Sequence, residues 1–404
     1  MTDSAAPKED ARKPRRPKGS GSVRNRGTAR APRWFAYWFY VDRGGERRQA
    51  SKGPFPRKKD AEDHLADQLT RAREGRAVAP TRTTVESFLI DTWLPVVKHD
   101  LSPSTWANYA SMVRNRLVPH LGAARLQDLG PGHIARAYDA LRVDGANRRG
   151  KTARPLSETS IEHTHRTLHA ALAYAMAQGL IARNPADGVR KPKRQRTEMV
   201  VWDAAQLSRF LSATSEDRLA PLWRVASHTG MRRSELLGLR WSDIDLDLAR
   251  LSVQRTRVAI GYRMVDGLGG KTDGSVRVID LDDGTVAVLR RWRKTQLEER
   301  LAWGIGYTDT GLVFTREDGI GLHADHVAGA FERAVAKAGV PAIRFHDVRH
   351  THATLLLKER WPVKVVSERL GHGSPAFTMA TYQHVLPGMQ AEAAKGFAAL
   401  IDAQ

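Results

Sequence analysis

The 404-residue chain contains no cysteine. Disulfides, thiolate zinc sites and cysteine nucleophiles are therefore excluded. It also has no apolar run approaching the roughly 18 residues that a membrane-spanning helix requires. Its opening, MTDSAAPKEDARKPRRPKG, lacks the apolar stretch of a signal peptide. A cytoplasmic protein is the expectation. Acidic residues are few beside the basic ones, 44 against 65, which gives a formal net charge of +21. Such an excess points to an acidic partner, above all nucleic acid. A basic tail accounts for only part of it, because Arg and Lys recur through every region. The apolar content of 41 % is enough for real cores, and the length suggests more than one domain.

Composition changes along the chain. Residues 1–32 are rich in Arg, Lys, Gly, Pro and Ala, and are expected to be a disordered basic tail. RWFAYWFYV, 33–41, has the aromatic density of a strand, and DRGGERRQ supplies a turn and a basic return strand. Asp60 to Arg73 is patterned as a helix, so 33–75 reads as a small β-β-β-α unit. Its Arg47, Arg48, Lys52, Arg57, Lys58 and Lys59 suit a sheet entering a DNA groove. They suit a solvated charged face equally well.

Residues 84–190 read as helical. Val85, Phe88, Leu89, Trp93 and Leu94 form an apolar stripe, and Ser102-Pro103 marks a helix start. SETSIEHTHRTLHAALAYAMAQGLIARNPADGV, 157–189, reads as one long helix. Its His163, His165 and His169 lack the acidic or sulfur partners of a metal site. After a basic linker at 190–200, helices are expected at 203–213, 218–229, 284–300, 323–338, 348–359, 362–370, 375–384 and 388–400. Strands are expected at 251–259, 262–266 and 275–281.

The polar signals lie in this last region. In HTGMRRSELLGLRWSDID a Gly turn precedes Arg232, Arg233 and Glu235. A guanidinium at a helix start makes an anion seat, and Glu235 is placed to hold it; an ordinary surface arginine fits the same residues. GGKTDGSVRVIDL reads as a hairpin with Lys271 in its turn region, from which a lysine can donate a proton, although exposed turn lysines are usually inert. FHDVRHTHATLL sets His346 and Arg349 on one helical face, with Asp347 as a cap, while His350 and His352 read as bystanders. His372 follows Leu370-Gly371, and Ser374-Pro375 opens a helix that carries Tyr382. Alone, Tyr382 fits a packed aromatic as well as a nucleophile. Together these groups suit phosphoryl transfer without metal or cofactor. Arginines neutralise the nonbridging oxygens, Lys or His protonates the leaving oxygen, and Tyr attacks phosphorus.

The same residues resemble the motifs of the tyrosine recombinases of the phage-integrase family. TGMRRSELLGLRWSDID matches the first arginine box at Arg232, not Arg233; GKTDGSVRVIDL matches the hairpin lysine at Lys271. HDVRHTHAT gives His346 and Arg349, LGHGS gives His372, and TYQHV gives the nucleophile Tyr382. Val348 stands where the family often has Leu, and His384 falls outside the catalytic set. The resemblance implies a mostly α multidomain protein. Residues 33–75 would be an arm-type DNA-binding domain, 84–190 an α-helical core-binding domain, and 201–404 an α+β catalytic domain, the last two closing on DNA as a C-shaped clamp. It implies double-stranded attachment sites of core and arm types on bacterial DNA, and a homo-tetramer assembled on them. An excision factor and a host DNA-bending protein are candidate accessory partners. Cleavage would pass through a 3′-phosphotyrosyl intermediate and a Holliday junction, integrating and excising a phage or other mobile element. The tail, with Leu386, Met389, Phe397 and Leu400, would dock on a neighbouring subunit or on its own domain. An Xer-like dimer resolvase, a type IB topoisomerase and a non-catalytic DNA-binding regulator are the alternatives.

Overall fold

A computed structural model describes residues 21–41, 46–73, 78, 80–145, 154–192, 199–268, 276–382 and 389–402. The chain divides into two compact units, 1–196 and 197–404. Among the described residues no helix is long and apolar enough to cross a membrane.

The first unit opens with an antiparallel sheet of β1 (Ser22–Asn25), β2 (Trp34–Val41) and β3 (Arg47–Phe55), in that spatial order. Helix α1 (Lys58–Arg73) covers one face, where Ala36, Trp38 and Ala50 meet Ala61 and Leu65. Strand alternation turns Phe35, Tyr37 and Phe39 the other way. There Arg24 and Arg26 lie over Tyr37, Arg26 also over Phe35, and Arg47 over Phe39. Strand β1 corrects the reading of 1–32 as a wholly disordered tail. Its apolar content is too low to announce a strand; pairing with β2 and arginine stacking on that strand's aromatics supply what periodicity does not.

Helix α2 runs through Val85–Ser87, a π-helical Phe88–Trp93 and Leu94–Val97. Thr84 starts it with a reciprocal cap to Ser87. Helix α3 runs through Pro103–Met112, a π-helical Val113–Leu117 and Val118–Leu121, and Ser102 accepts from Thr105 N at its start. With α4 (Pro131–Val143) and α5 (Glu158–Ala177) these helices bury Phe88, Trp93, Leu117, Ile134, Tyr138, Ile161 and Leu168 in one core. The long helix expected over 157–189 ends at Ala177. Gly179 adopts a left-handed φ of 63° there, and Pro185–Gly188 forms a separate short turn. His165 contacts the Tyr138 hydroxyl at 3.1 Å and His169 contacts Asp187 at 2.8 Å.

The second unit packs helices around an aromatic centre. Helices α6 (Ala204–Ala213), α7 (Ala220–Thr229), α10 (Ala324–Ala338) and α11 (Phe345–Lys358) bring Phe210, Trp223, Phe331 and Phe345 into mutual contact. Helix α8 (Arg233–Gly238) follows α7, and α9 (Asp283–Trp303) precedes α10. Helices α12 (Val363–Leu370), α13 (Pro375–Tyr382) and α14 (Met389–Asp402) complete the unit.

Strands β4 (Ile244–Asp245), β5 (Arg250–Val253) and β8 (Arg277–Asp280) form one sheet; β6 (Arg255–Ile260) and β7 (Arg263–Leu268) form a separate hairpin. Two strand expectations change here. The single strand expected at 251–259 breaks at Gln254, because the chain passes from one sheet to the other. The strand expected at 275–281 is not the return arm of a Lys271 hairpin, since β8 pairs with β5. Lys271 and His384 lie outside the described residues.

Candidate active site

Two glycines shape the site. Gly230, with φ 63°, ends α7 and turns the chain into α8; a Cβ there would stand 2.7 Å from the His352 ring and 2.8 Å from Leu370. Gly371, with φ 68°, ends α12 and turns the chain toward His372.

Arg232 is the cap residue of α8, and Glu235 reaches back to it. The Glu235 carboxylate accepts the Arg232 backbone N–H at 2.9 Å and Arg232 Nη1 at 2.7 Å. It also accepts Arg277 Nη2 at 2.9 Å and Nη1 at 3.2 Å. Burial pushes the Glu235 carboxyl up, but the Arg277 hydrogen bonds and Arg232 outweigh it and hold the group below its ordinary value.

The end of α12 is gripped by three arginines from three elements. Arg277 of β8 donates to the Arg369 carbonyl at 2.8 Å, Arg349 of α11 to the Leu370 carbonyl at 2.6 Å, and Arg232 to the Gly371 carbonyl at 3.1 Å. Carbonyls at a helix C-terminus lack intrahelical donors and carry the negative end of the dipole, so cations are favoured there. Arg349 also donates to the Gly230 carbonyl at 2.7 Å. It thereby ties the turn before Arg232 to the turn before His372.

These contacts crowd positive charge. Burial, then Arg232, lowers Arg349 to about 9, so it is still charged at neutral pH. Burial, then Arg349 and Arg232, lowers His372 to about 4; its Nδ1 meets Thr378 Oγ1 at 2.7 Å. His346 keeps an exposed edge, yet desolvation of its crowded position and then Arg349 hold it below the ordinary histidine value. An anion placed here would relieve the repulsion between the arginines.

Tyr382 is 1 % exposed and packs against Ala353, Leu357, Val366 and Leu370. Burial pushes its phenol up to about 12, against a lowering by Arg349. Its hydroxyl lies 2.7 Å from His350 Nδ1.

The fold thus gathers Arg232, His346, Arg349, His372 and Tyr382. Arg233 instead reaches the Ala324 carbonyl at 3.4 Å. His350, read from sequence as a bystander, is corrected to a direct neighbour of the candidate nucleophile. Helical spacing from His346 is the signal that places it on the same face. Arg277 was missed because its partners come from other elements. His352 stays apart: its Nδ1 meets the Ser227 carbonyl at 2.9 Å and its Nε2 faces Arg369 Nε at 3.3 Å. Among the described residues no group of three or more His, Asp or Glu is placed to hold a metal ion.

The histidines make stability depend on pH. Burial lowers His352 to about 3 and His350 to about 4, and His372 also sits at about 4. As pH falls through the ordinary histidine range the unfolded chain binds protons that the folded chain refuses. Their contribution is complete above about pH 6.5 and is lost progressively toward about pH 4. The thermal midpoint is expected to fall over that window, and less steeply in His352→Gln.

A family profile described as "Phage integrase family" matches residues 201–388. A second, "Phage integrase, N-terminal SAM-like domain", matches 85–142. A curated protein named "Tyrosine recombinase XerC-like" from Caldanaerobacter subterraneus is 30 % identical over 356 residues, spanning 83 % of this chain and 88 % of that one. The chain belongs to the phage-integrase family of tyrosine recombinases. Cleavage and rejoining of DNA is this family's chemistry. Two solved structures share the integrase fold. The Tn1549 transposon integrase (residues 82–397), in complex with circular intermediate DNA, superposes with a TM-score of 0.62 at 20 % identity over 78 % of this chain and 99 % of that one. A lambda integrase tetramer bound to a Holliday junction superposes with a TM-score of 0.55 at 19 % identity over 85 % and 92 %.

Proposed function

We propose that this chain is the integrase of a phage or integrative element, joining and separating attachment sites through a covalent tyrosyl intermediate. One observation carries the reading. Arg232 at the start of α8 and Arg349 of α11 are fixed on neighbouring carbonyls of the turn that precedes His372, and Arg349 is within electrostatic reach of Tyr382. Each guanidinium uses only part of its donor set in those contacts. The remaining N–H groups would receive the nonbridging oxygens of a scissile phosphate as charge develops. Tyr382 would attack phosphorus, and Lys271 would protonate the departing 5′ oxygen. His346 and His372 would add hydrogen bonds to the phosphate.

In this reading residues 84–190 and 201–404 bind the core site. Residues 33–75, extended by β1, bind arm sites through the face on which Arg24, Arg26 and Arg47 stack. Tetramer assembly on DNA is carried over from the lambda complex. The relative named XerC-like favours a second reading, a dimer resolvase.

The test is a recombination assay with two plasmids bearing candidate attachment sites, without added metal or nucleotide. Recombinants that depend on both core and arm sequences are expected. Recombination on core sequences alone would favour the resolvase. Relaxation without joining would favour a topoisomerase, and specific binding without cleavage a regulator.

Lys271→Ala is expected to bind DNA nearly normally and to cleave about 10²–10⁴-fold more slowly. A substrate with a 5′-bridging sulfur, which leaves without a proton, should restore most of the rate. An equal deficit on both substrates would contradict the assignment.

A further inference from the structure

We propose that His350 takes the phenolic proton from Tyr382 as the tyrosine attacks DNA. This rests on the recombinase reading above and adds a residue to its chemistry. The placement is direct: His350 Nδ1 and the Tyr382 hydroxyl are 2.7 Å apart, within reach of proton transfer. Both groups are carried by helices, His350 by α11 and Tyr382 by α13. His350 follows Arg349 directly and lies one turn beyond His346, whose ring stands 5.0 Å away, edge to face. The helix that holds the buried arginine therefore also sets the acceptor.

The surroundings keep His350 uncharged. Burial, then His346, lowers it to about 4, so at neutral pH its imidazole is neutral. Arg349 and Arg344 act in the same direction, and Asp347 opposes them. Tyr382 faces it from α13, and His372 lies near enough to feel its charge. Two other acceptors are engaged. Asp347 is bonded to Arg344 through both carboxylate oxygens, and His372 Nδ1 is bonded to Thr378. A phenol held at about 12 ionises too rarely by itself at neutral pH to serve as the nucleophile. An arriving phosphate brings negative charge, which raises the proton affinity of His350 at the step that needs it.

The step balances without a co-reactant. The Tyr382 Oη–phosphorus bond forms and the phosphorus–O5′ bond breaks. The phenolic proton passes to His350 Nδ1, and O5′ takes a proton from Lys271. Rejoining reverses each transfer.

The experiment measures single-turnover adduct formation by the full chain on a nicked attachment-site duplex with a 5′-bridging sulfur. Leaving-group protonation then drops out of the rate. Wild type, His350→Gln and His350→Asn are compared across about pH 5–9, with thermal melts and DNA binding as folding checks. Each variant is expected to be about 10²-fold slower at neutral pH, with a rate climbing about tenfold per pH unit where wild type is level. Fluorotyrosine at position 382, with its more acidic phenol, should recover much of the loss in His350→Gln and change wild type little. A variant with the wild-type rate and profile would overturn the proposal. So would a variant faster than wild type, which would make the contact a restraint on the tyrosine. A slow variant with an unchanged profile and no fluorotyrosine response would reduce His350 to packing. A wild type that forms no adduct on a proven site would remove the recombinase reading itself.

Discussion

Tyr382→Phe is expected to abolish covalent attachment and recombination, by several orders of magnitude, while leaving DNA binding close to wild type. The substitution deletes one oxygen from a side chain packed among Ala353, Leu357, Val366 and Leu370. Phenylalanine fills the same space, so no cavity opens. The hydrogen bond to His350 is lost, at a cost of about 1 kcal/mol. Cysteine is excluded as a second nucleophile, because the chain has none. Thr378 and Thr381 are on the same helix, but their hydroxyls bond to His372 Nδ1 and to the Phe377 carbonyl. Binding is read from gel shifts and attachment from denaturing gels of labelled duplex. An adduct that persists in the variant would mean that another group attacks.

Arg349→Ala is expected to reduce cleavage at least as much as losing one transition-state donor does elsewhere, about 10²–10³-fold, and to destabilise the fold as well. Arg349 is 4 % exposed and donates to the Gly230 and Leu370 carbonyls. Its removal leaves both without that donor, at roughly 1–3 kcal/mol each. Arg232 also loses support, since its own contact is the next carbonyl, Gly371. Arg349→Lys separates the two effects. The ammonium keeps the charge but has no planar fork to span two carbonyls and still face an oxygen. The lysine variant should bind DNA nearly as wild type does, yet cleave at least about 10²-fold more slowly. Near-normal cleavage by the lysine variant would show that charge alone suffices.

Much of this arrangement is legible in the sequence where the deciding contacts are local. The start of α11 is a partial example: the local residues signal a helix start, but it falls at Phe345, three residues before the expected 348, with Arg344 and not Asp347 as the cap residue. Asp347 accepts from Arg344 N at 2.9 Å, a cap within four residues of chain, and the helix then presents His346 and Arg349. Arg232 with Glu235 is equally local, as are the Gly371 stop and the Ser374 cap before Tyr382. Long-range contacts are another matter. Arg277 meets the Arg369 carbonyl 92 residues away, and Arg232 meets Gly371 across 139. No spacing rule joins such pairs, so the three-arginine grip on α12 emerges only from the fold. His350 was passed over because its partner Tyr382 is 32 residues on, in a different helix. Strand β1 and the partner of β8 were misread for the same reason. A strand's pairing depends on which neighbour the tertiary fold brings alongside, and its own residues record that weakly.

The central claim is that Tyr382 joins to DNA phosphorus. The most direct measurement is to trap the complex on a nicked attachment-site duplex, digest both protein and DNA, and identify the nucleotide-bearing peptide by mass spectrometry. The account predicts a 3′-phosphonucleotide on the phenolic oxygen of Tyr382 and a free 5′-hydroxyl on the released strand. A nucleotide on any other residue, or a 5′-phosphoryl linkage, would contradict it.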